Sequence, residues 1–530
     1  MSKFIYIFIC LPVFCFSITN EEFFQIQRAQ RRVHAFTVKA DAAGFDIEKS
    51  RGVQENNGDE SLYDDLRGSF NKGLAHNSNG FPNTSAFESL VQALTSRDNS
   101  LYDDIQIGLG DYKLVNPQAS LTCSLLGNDG WINTIPPAPT FASAESAGEM
   151  VEVYWTALVR DVPFNEFDTN ATVADAINEL NTLSNFKGPK IGGVVTAQTF
   201  LRGNTSGDLI GPYISQFFYL PVPYGTTDIP IEQMVPIQST ANDFNTTFND
   251  WLTTVKGGDT GNTITFDPTM TFLRTPRDLG EYVHQDTPEQ AALSALLILD
   301  SFGTDALDTN NPYFNNRTQV GFVTFGIGEI LSLTRVAVQE GLKAAWFQKW
   351  QVHRRLRPEE YGFYVQMQKA NSVNMGISSE LINSQALDEI FSAFGSYFLP
   401  VAYPEGSPTH PSYPAGHATF MGAAVTILKA YYNENFEIPN PLQPNATNDA
   451  LEAYPGTLTI GNELNKLAAN IALGRDHAGV HYRSDGIEGI LLGEKIALDV
   501  LENEASLINE DFPGFSLTKF DGSVVTIGGN

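Results

Sequence analysis

Three stretches in the C-terminal half carry side chains suited to holding a tetrahedral oxyanion: 349–358 (KWQVHRRLRP), 410–417 (HPSYPAGH) and 474–485 (GRDHAGVHYRSD). The first supplies Lys349, a compact point charge, and Arg357, a planar fork that matches an oxyanion. The second stiffens a turn with Pro408, Pro411 and Pro414, then opens a helical pattern at Gly416 and His417. Free N–H groups and the dipole at a helix start favour an anion, and glycine lets it approach the backbone. The third supplies Arg475 and His481, with Asp485 four residues further on and able to hold the second ring nitrogen of His481. Five of the eight histidines (His353, His410, His417, His477 and His481) fall in these stretches. Plainer readings compete: a solvated basic face over 343–357, a capping or packing role for His417, an ordinary exposed carboxylate for Asp485. Trp346 and Trp350, interleaved with the basic residues, require part of that helix to be buried. His477 has no partner comparable to Asp485 and reads as structural.

These side chains need elements to position them. Helical spacing covers 84–97, 141–160, 172–186, 326–356, 417–432, 460–475 and 484–503. Pro358 ends the basic helix at Arg357; eight helical steps set Lys349 and Arg357 about 12 Å apart, so that both reach one ligand from two sides. Arg475 and His481 would face nearly opposite ways on one helix, and Gly479 supplies the break between two. Thr287 and Pro288 read as N-cap and first position of a further helix. Strand-like alternation is scarce, and 200–285 is rich in Gly, Pro, Thr and Asn, as ordered loops with short helices are. There is no internal repeat and no low-complexity segment. The expected fold is mainly α, a helical bundle with extended loops and few short strands. Its expected parts are an N-terminal helical and loop region at 20–285, a catalytic bundle at 286–505 and a tail at 506–530. Residues 20–75 are polar and mixed, and are expected to wrap the body without forming a core.

At 530 residues the chain exceeds what one core usually supports, so two or more sub-domains are expected. A hydrophobic share of 42% with 18% charged residues describes a globular protein. The net charge of −29 argues against nucleic acid and anionic membrane as partners, and makes a local anion site the more specific. Lys3 followed by an apolar run over 4–16 reads as a secretory signal, residues 1–19, with small residues near Ser17 and Thr19 at its end. That run is too short to span a bilayer. Export would leave Cys123 as the one cysteine of the mature chain, expected to be free and buried. Sequons at Asn83, Asn170, Asn204, Asn245, Asn316 and Asn445 are compatible with N-glycosylation.

The three motifs resemble those of the vanadium-dependent haloperoxidases, most closely the algal bromoperoxidase branch. Stretches at 149–164, 202–217, 277–284, 349–360, 405–414 and 481–492 are similar to that branch too, so the likeness runs over roughly 30–505. The resemblance implies a bare vanadate bound by Lys349, Arg357, Arg475 and the Gly416 backbone, with His481 as the one metal ligand and His417 as acid/base. It implies hydrogen peroxide, halide and small organic acceptors as partners, and Lys349 as the group that polarises the activated peroxide. It places His410 and Trp346 beside the halide, with His410 leaning towards bromide over chloride. It implies a homodimer or larger homo-oligomer, and leaves room for a structural calcium ion that no residue of the sequence places. One position departs from the family: Ala415 stands where a serine hydroxyl normally meets a vanadate oxygen.

Two other classes fit parts of the pattern. A secreted acid phosphatase would use the same pocket with His481 as nucleophile and His417 as leaving-group acid. An oxyanion-binding or structural secreted protein would follow if the loss of the Ala415 hydroxyl had removed catalysis. The retained Lys349, Arg357, His417, Arg475 and His481 weigh against the latter.

Overall fold

The computed structural model describes residues 52–529 except 97, 125, 226–229 and 240, together with scattered positions between 21 and 44. The expected signal segment lies outside the described residues. Residues 1–49 and 50–530 form two separate units, and the described positions of the first are helical.

The second unit is built on four long helices. Helix α1 (Ile327–Phe347) repeats apolar residues at Ile330, Leu333, Ala337, Val338 and Ala344, and so turns one face inward. Helix α2 (Gly416–Tyr431) is buried almost all round, from Ala418 to Tyr431, as a central helix must be. It packs against α1, against α3 (Ile460–His477) and, most extensively, against α4 (Arg483–Ala505). Two glycines make that last contact possible: a Cβ on Gly493 would strike the Thr419 carbonyl, and one on Gly422 would strike that of Ile490. Each fully buried Leu, Ile or Phe on these faces contributes roughly 1.5–3 kcal/mol. The seam is therefore held by side chains such as Ile427, Leu428, Leu464 and Leu467, all fully buried.

The part of the N-terminal region that belongs to the second unit supports this bundle and shares its core, which crosses 285/286 without interruption. The sub-domain division expected at that boundary separates sequence character, not cores. Helix α5 (Ala144–Val159) is capped by Ser143, whose hydroxyl accepts from the Ser146 amide, and α6 (Pro276–Gln285) by Thr275 in a capping box with Asp278. Strands are short and paired in twos: Val235–Gln238 with Phe266–Thr271, Leu442–Pro444 with Leu451–Ala453, and Phe515–Thr518 with Val524–Ile527, all antiparallel. The last hairpin turns the expected tail into part of the core, with Phe515 buried and Lys429 donating to the Thr518 carbonyl at 2.6 Å.

Several expectations are corrected here. The helix after Pro288 starts at Gln290 with Glu289 as its N-cap, so Thr287 is not the cap, although its carbonyl accepts from the Gln290 amide at 3.0 Å. The basic helix does not run on to Arg357: α1 gives way to a π-helical turn at Gln348–His353, and Arg354 then takes a left-handed backbone, φ 39°. Pro358 begins a helix (Pro358–Ala370), where its missing N–H costs nothing. The stretch 66–74 does form core, since Leu66, Phe70 and Leu74 pack with Trp350. Cys123 is exposed, not buried. Asn245 is buried and donates its amide to Glu359 at 3.1 Å, so this sequon is closed to glycosylation in the folded protein.

Candidate oxyanion site

The π turn after α1 buries Lys349 and aims its Nζ at the main-chain oxygens of Pro411 (2.7 Å) and Ser412 (2.8 Å). Arg357 has extended backbone and a buried side chain. Its Nε donates to the His410 carbonyl at 2.9 Å, and its Nη1 to the Val480 carbonyl at 2.7 Å and to His481 Nε2 at 2.8 Å. Arg475 sits in the last turn of α3, where Nη1 donates to the Val283 carbonyl at 2.7 Å and the guanidinium lies 5.3 Å from the Tyr403 ring centre. Its Nε is buried with no hydrogen-bond partner. Among the described residues none of these three cations forms an ion pair with a carboxylate. Burial, together with the charges of Arg357 and Arg475, holds the Lys349 ammonium well below its usual range, and burial and Arg475 pull Arg357 down to about 10.

Gly479, φ 80°, breaks α3 from α4 and swings His481 into the connection between them. Its two nitrogens are assigned by their partners. A guanidinium only donates, so Nε2 accepts from Arg357; Nδ1 then carries the proton and donates to Asp485 Oδ2 at 2.8 Å. Asp485 is itself fixed by Arg355 Nη1 at 2.9 Å, the Tyr482 amide at 3.1 Å and the Ser412 hydroxyl. Burial first, then Arg357 and Lys349, push His481 well below the usual imidazole range. The result is a neutral imidazole whose Nε2 lone pair faces the cations.

His417 follows Gly416 in the first turn of α2 and is a quarter exposed, at 25%. Its Nε2 pairs with Asp286 Oδ1 at 3.0 Å, which leaves Nδ1 as the nitrogen not engaged by the carboxylate. Burial and Arg475 lower its pKa against the opposing pull of Asp286. His410 stands against Trp346, ring centres 5.0 Å apart, and burial with Lys349 and Arg357 keeps it neutral. A Cβ on Gly416 would come 3.3 Å from the Trp346 ring, so this glycine lets the indole lie against the helix start.

The structure thus brings Lys349, Arg357, His410, Gly416, His417, Arg475 and His481 to one end of the bundle, with Trp346 at its wall and Asp485 behind His481. His477 points elsewhere, its Nε2 3.2 Å from the Tyr213 hydroxyl, as its lack of a nearby partner suggested. Asp286 was missed by sequence reasoning. It closes α6 as its C-cap just before the Thr287-Pro288 pair, a boundary where a lone acidic residue carries no signal of its distant partner. Ser412 and Tyr403 were missed likewise, because their contacts are long-range. No group of three or more His, Cys, Asp and Glu able to hold a metal ion occurs among the described residues.

The model of the VCPO second helical-bundle domain family matches residues 329–510. The vanadium-dependent bromoperoxidase of Corallina pilulifera is 34% identical over 582 residues, covering 92% of this chain and 97% of that protein. That of Ascophyllum nodosum is also 34% identical, over 528 residues, with coverages of 94% and 92%. This chain belongs to the vanadium-dependent bromoperoxidase family. The fold agrees: the second vanadate-dependent bromoperoxidase of A. nodosum, solved as a homohexamer, superposes with a TM-score of 0.89 at 26% identity, over 100% of this chain and 95% of that one. It is therefore an enzyme of the haloperoxidase kind, with vanadate as its cofactor.

Ala415 acquires a physical setting in this family. It is the N-cap of α2, fully buried and without a side-chain cap, its amide bound to the Asp485 carbonyl at 2.9 Å and its carbonyl to the Thr419 amide at 3.0 Å. The backbone of the cap is thus kept while the hydroxyl is absent.

Proposed function

We propose that this protein oxidises bromide with hydrogen peroxide, and that Lys349, Arg357, Arg475 and the Gly416 amide hold vanadate while His481 Nε2 ligates it. The observation that carries this reading is the set of three buried cations with no carboxylate partner among the described residues, grouped around a neutral imidazole. The donor set suits a tetrahedral oxyanion, and the buried Arg475 Nε is left over for one of its oxygens. Vanadate, when bound, supplies activation of hydrogen peroxide towards a halide.

The chain's own groups supply the rest. Asp485 fixes the His481 tautomer that presents a lone pair, and Arg355 and Ser412 hold Asp485 in place. Lys349 contributes a positive charge in a water-poor site, where it polarises strongly. His417 exchanges a proton through Nδ1, its ring held by Asp286 at Nε2. His410 and Trp346 form the wall against which a halide would sit, and among the described residues none of their direct partners is a carboxylate that would repel it.

Export through the N-terminal apolar run is part of the same reading, supported by Lys3 and the length of that run. Assembly as a homo-oligomer is supported by the homohexameric relative of matching fold. The test is halide oxidation with vanadate and peroxide across bromide, iodide and chloride, run beside hydrolysis of an aryl phosphate. Vanadate-dependent bromide turnover with negligible phosphate release is expected. Phosphate release without halide turnover would instead make His481 a nucleophile.

A further inference from the structure

A cavity of about 360 Å³, lined by Asp286 but not by His417, lies between α6, the following helix (Gln290–Ser301) and the segment that carries Phe218. Phe218, Leu273, Tyr282, Leu293 and Leu297 form its apolar walls, and Asp286 is part of its lining. The size is that of a small-molecule pocket and suits one or two rings. The Asp286 side chain is only 2% exposed, and while Oδ1 pairs with His417, Oδ2 is buried without a hydrogen-bond partner. A buried carboxylate oxygen left unpaired is costly, and a carboxylate can only accept. The missing partner is therefore a donor. The neighbouring Glu281 is already engaged, by Gln285 at 3.2 Å and by His284, which leaves Asp286 as the acceptor in need.

We propose that this cavity binds the organic acceptor: a neutral molecule of one or two aromatic rings whose hydroxyl donates to Asp286 Oδ2 as the side chains that close over this oxygen in the empty cavity give way. The assignment rests on the haloperoxidase reading for its purpose, but not for its binding chemistry. A phenol docked here would stand one carboxylate away from His417. Hypobromous acid formed at the oxyanion site would convert a ring C–H to C–Br, the displaced proton leaving with the hydroxide half as water.

Binding of 2-naphthol and of 2-methoxynaphthalene, which lacks the donor, is measured by fluorescence on the full-length protein without vanadate. The result is then independent of peroxidase activity. In the unaltered protein 2-naphthol is expected to bind at least tenfold more tightly than its methyl ether. Leu297→Trp and, as a second filling variant, Leu293→Trp should each weaken 2-naphthol at least tenfold. A variant is scored only if it keeps its far-ultraviolet spectrum and unfolds cooperatively. With vanadate, both should retain bromide oxidation when a small cyclic diketone is the acceptor while losing most naphthol bromination. Equal affinity for the two naphthalenes, or naphthol binding unchanged in a folded filling variant, would overturn the proposal. Loss of all bromide oxidation in the unaltered protein would count against the functional reading and leave the binding result standing.

Discussion

Two arrangements of buried cations contrast within this one bundle, apart from Lys429 and Arg202, each held by amide or main-chain oxygens. Arg355 meets Glu149 at 2.7 Å and Asp485 at 2.9 Å, Arg483 meets Glu152 at 2.9 Å, Lys72 meets Glu359 at 2.6 Å and Lys466 meets Glu463 at 2.7 Å. Among the described residues the side chains of Lys349, Arg357 and Arg475 meet only carbonyls, imidazoles and a phenol hydroxyl. Taking a charge out of water costs several kcal/mol, which a partner must offset. In the first group the chain supplies that partner and the result is a rigid scaffold. In the second the offset is left to a ligand from solution, and the scaffold holds the cations together against their repulsion. Asp485 joins the two, with one oxygen on the scaffold cation Arg355 and the other on His481.

The contrast is most easily broken at the scaffold. Arg355→Met strands Glu149 and Asp485 in the interior and should cost about 3–5 kcal/mol of stability, read from the urea midpoint. A loss under about 1 kcal/mol would erase the distinction between the groups.

His284 tests the scaffold by pH. Burial disfavours its charge, but hydrogen bonds to Glu281 and Glu405 outweigh this and raise it to about 9. A raised pKa stabilises fully below the unfolded value near 6.5, and that stability disappears as pH climbs through 9. Urea unfolding should therefore lose up to about 3 kcal/mol between pH 6.5 and 9.5, and His284→Gln should flatten this slope.

For the unpaired group, vanadate at a hundred times its Kd should stabilise the protein by about 2.7 kcal/mol, seen in thermal unfolding. Arg475→Met should abolish most of that shift while folding normally.

Ala415→Ser returns a hydroxyl to the cage. One hydrogen bond to a charged group is worth about 1.5–3 kcal/mol, so vanadate affinity, measured by equilibrium dialysis, should rise at least tenfold. Serine is also the better N-cap, by about 1 kcal/mol, so stability without vanadate is measured separately.

The smallest effect is the most diagnostic. Lys349→Met removes a repelled buried charge along with two hydrogen bonds, and vanadate-free stability should move by no more than about 1 kcal/mol. Bromide oxidation should nevertheless be lost. A penalty as large as that of Arg355→Met would place Lys349 with the scaffold.

Much of this was legible in the chain. The helices at 327–347, 416–431, 460–477 and 483–505 follow from apolar spacing, and Gly479 marked the break that frees His481. The link from His481 to Asp485 was readable because four residues is one helical turn. The path from Lys349 to Arg357 was not, since a π turn and a left-handed Arg354 replace the regular helix that charge and spacing suggested. Nothing local announces such a turn. It is fixed by the packing of Trp350 against Phe70 and the Arg354 carbonyl on the Phe70 amide, from a stretch 280 residues away that sequence character placed outside the core.

What the sequence determined by itself was the inventory: which cations, which imidazoles, the helix start at Gly416 and the hydroxyl missing at Ala415. What only the tertiary structure decided was the pairing. Asp286 reaches His417 across 131 residues, Arg355 reaches Glu149 across 206, and Arg475 has no carboxylate partner among the described residues although the chain carries 61 acidic residues. Charge balance inside a protein depends on contacts a few ångströms long between distant parts of the chain, and local sequence carries no record of them.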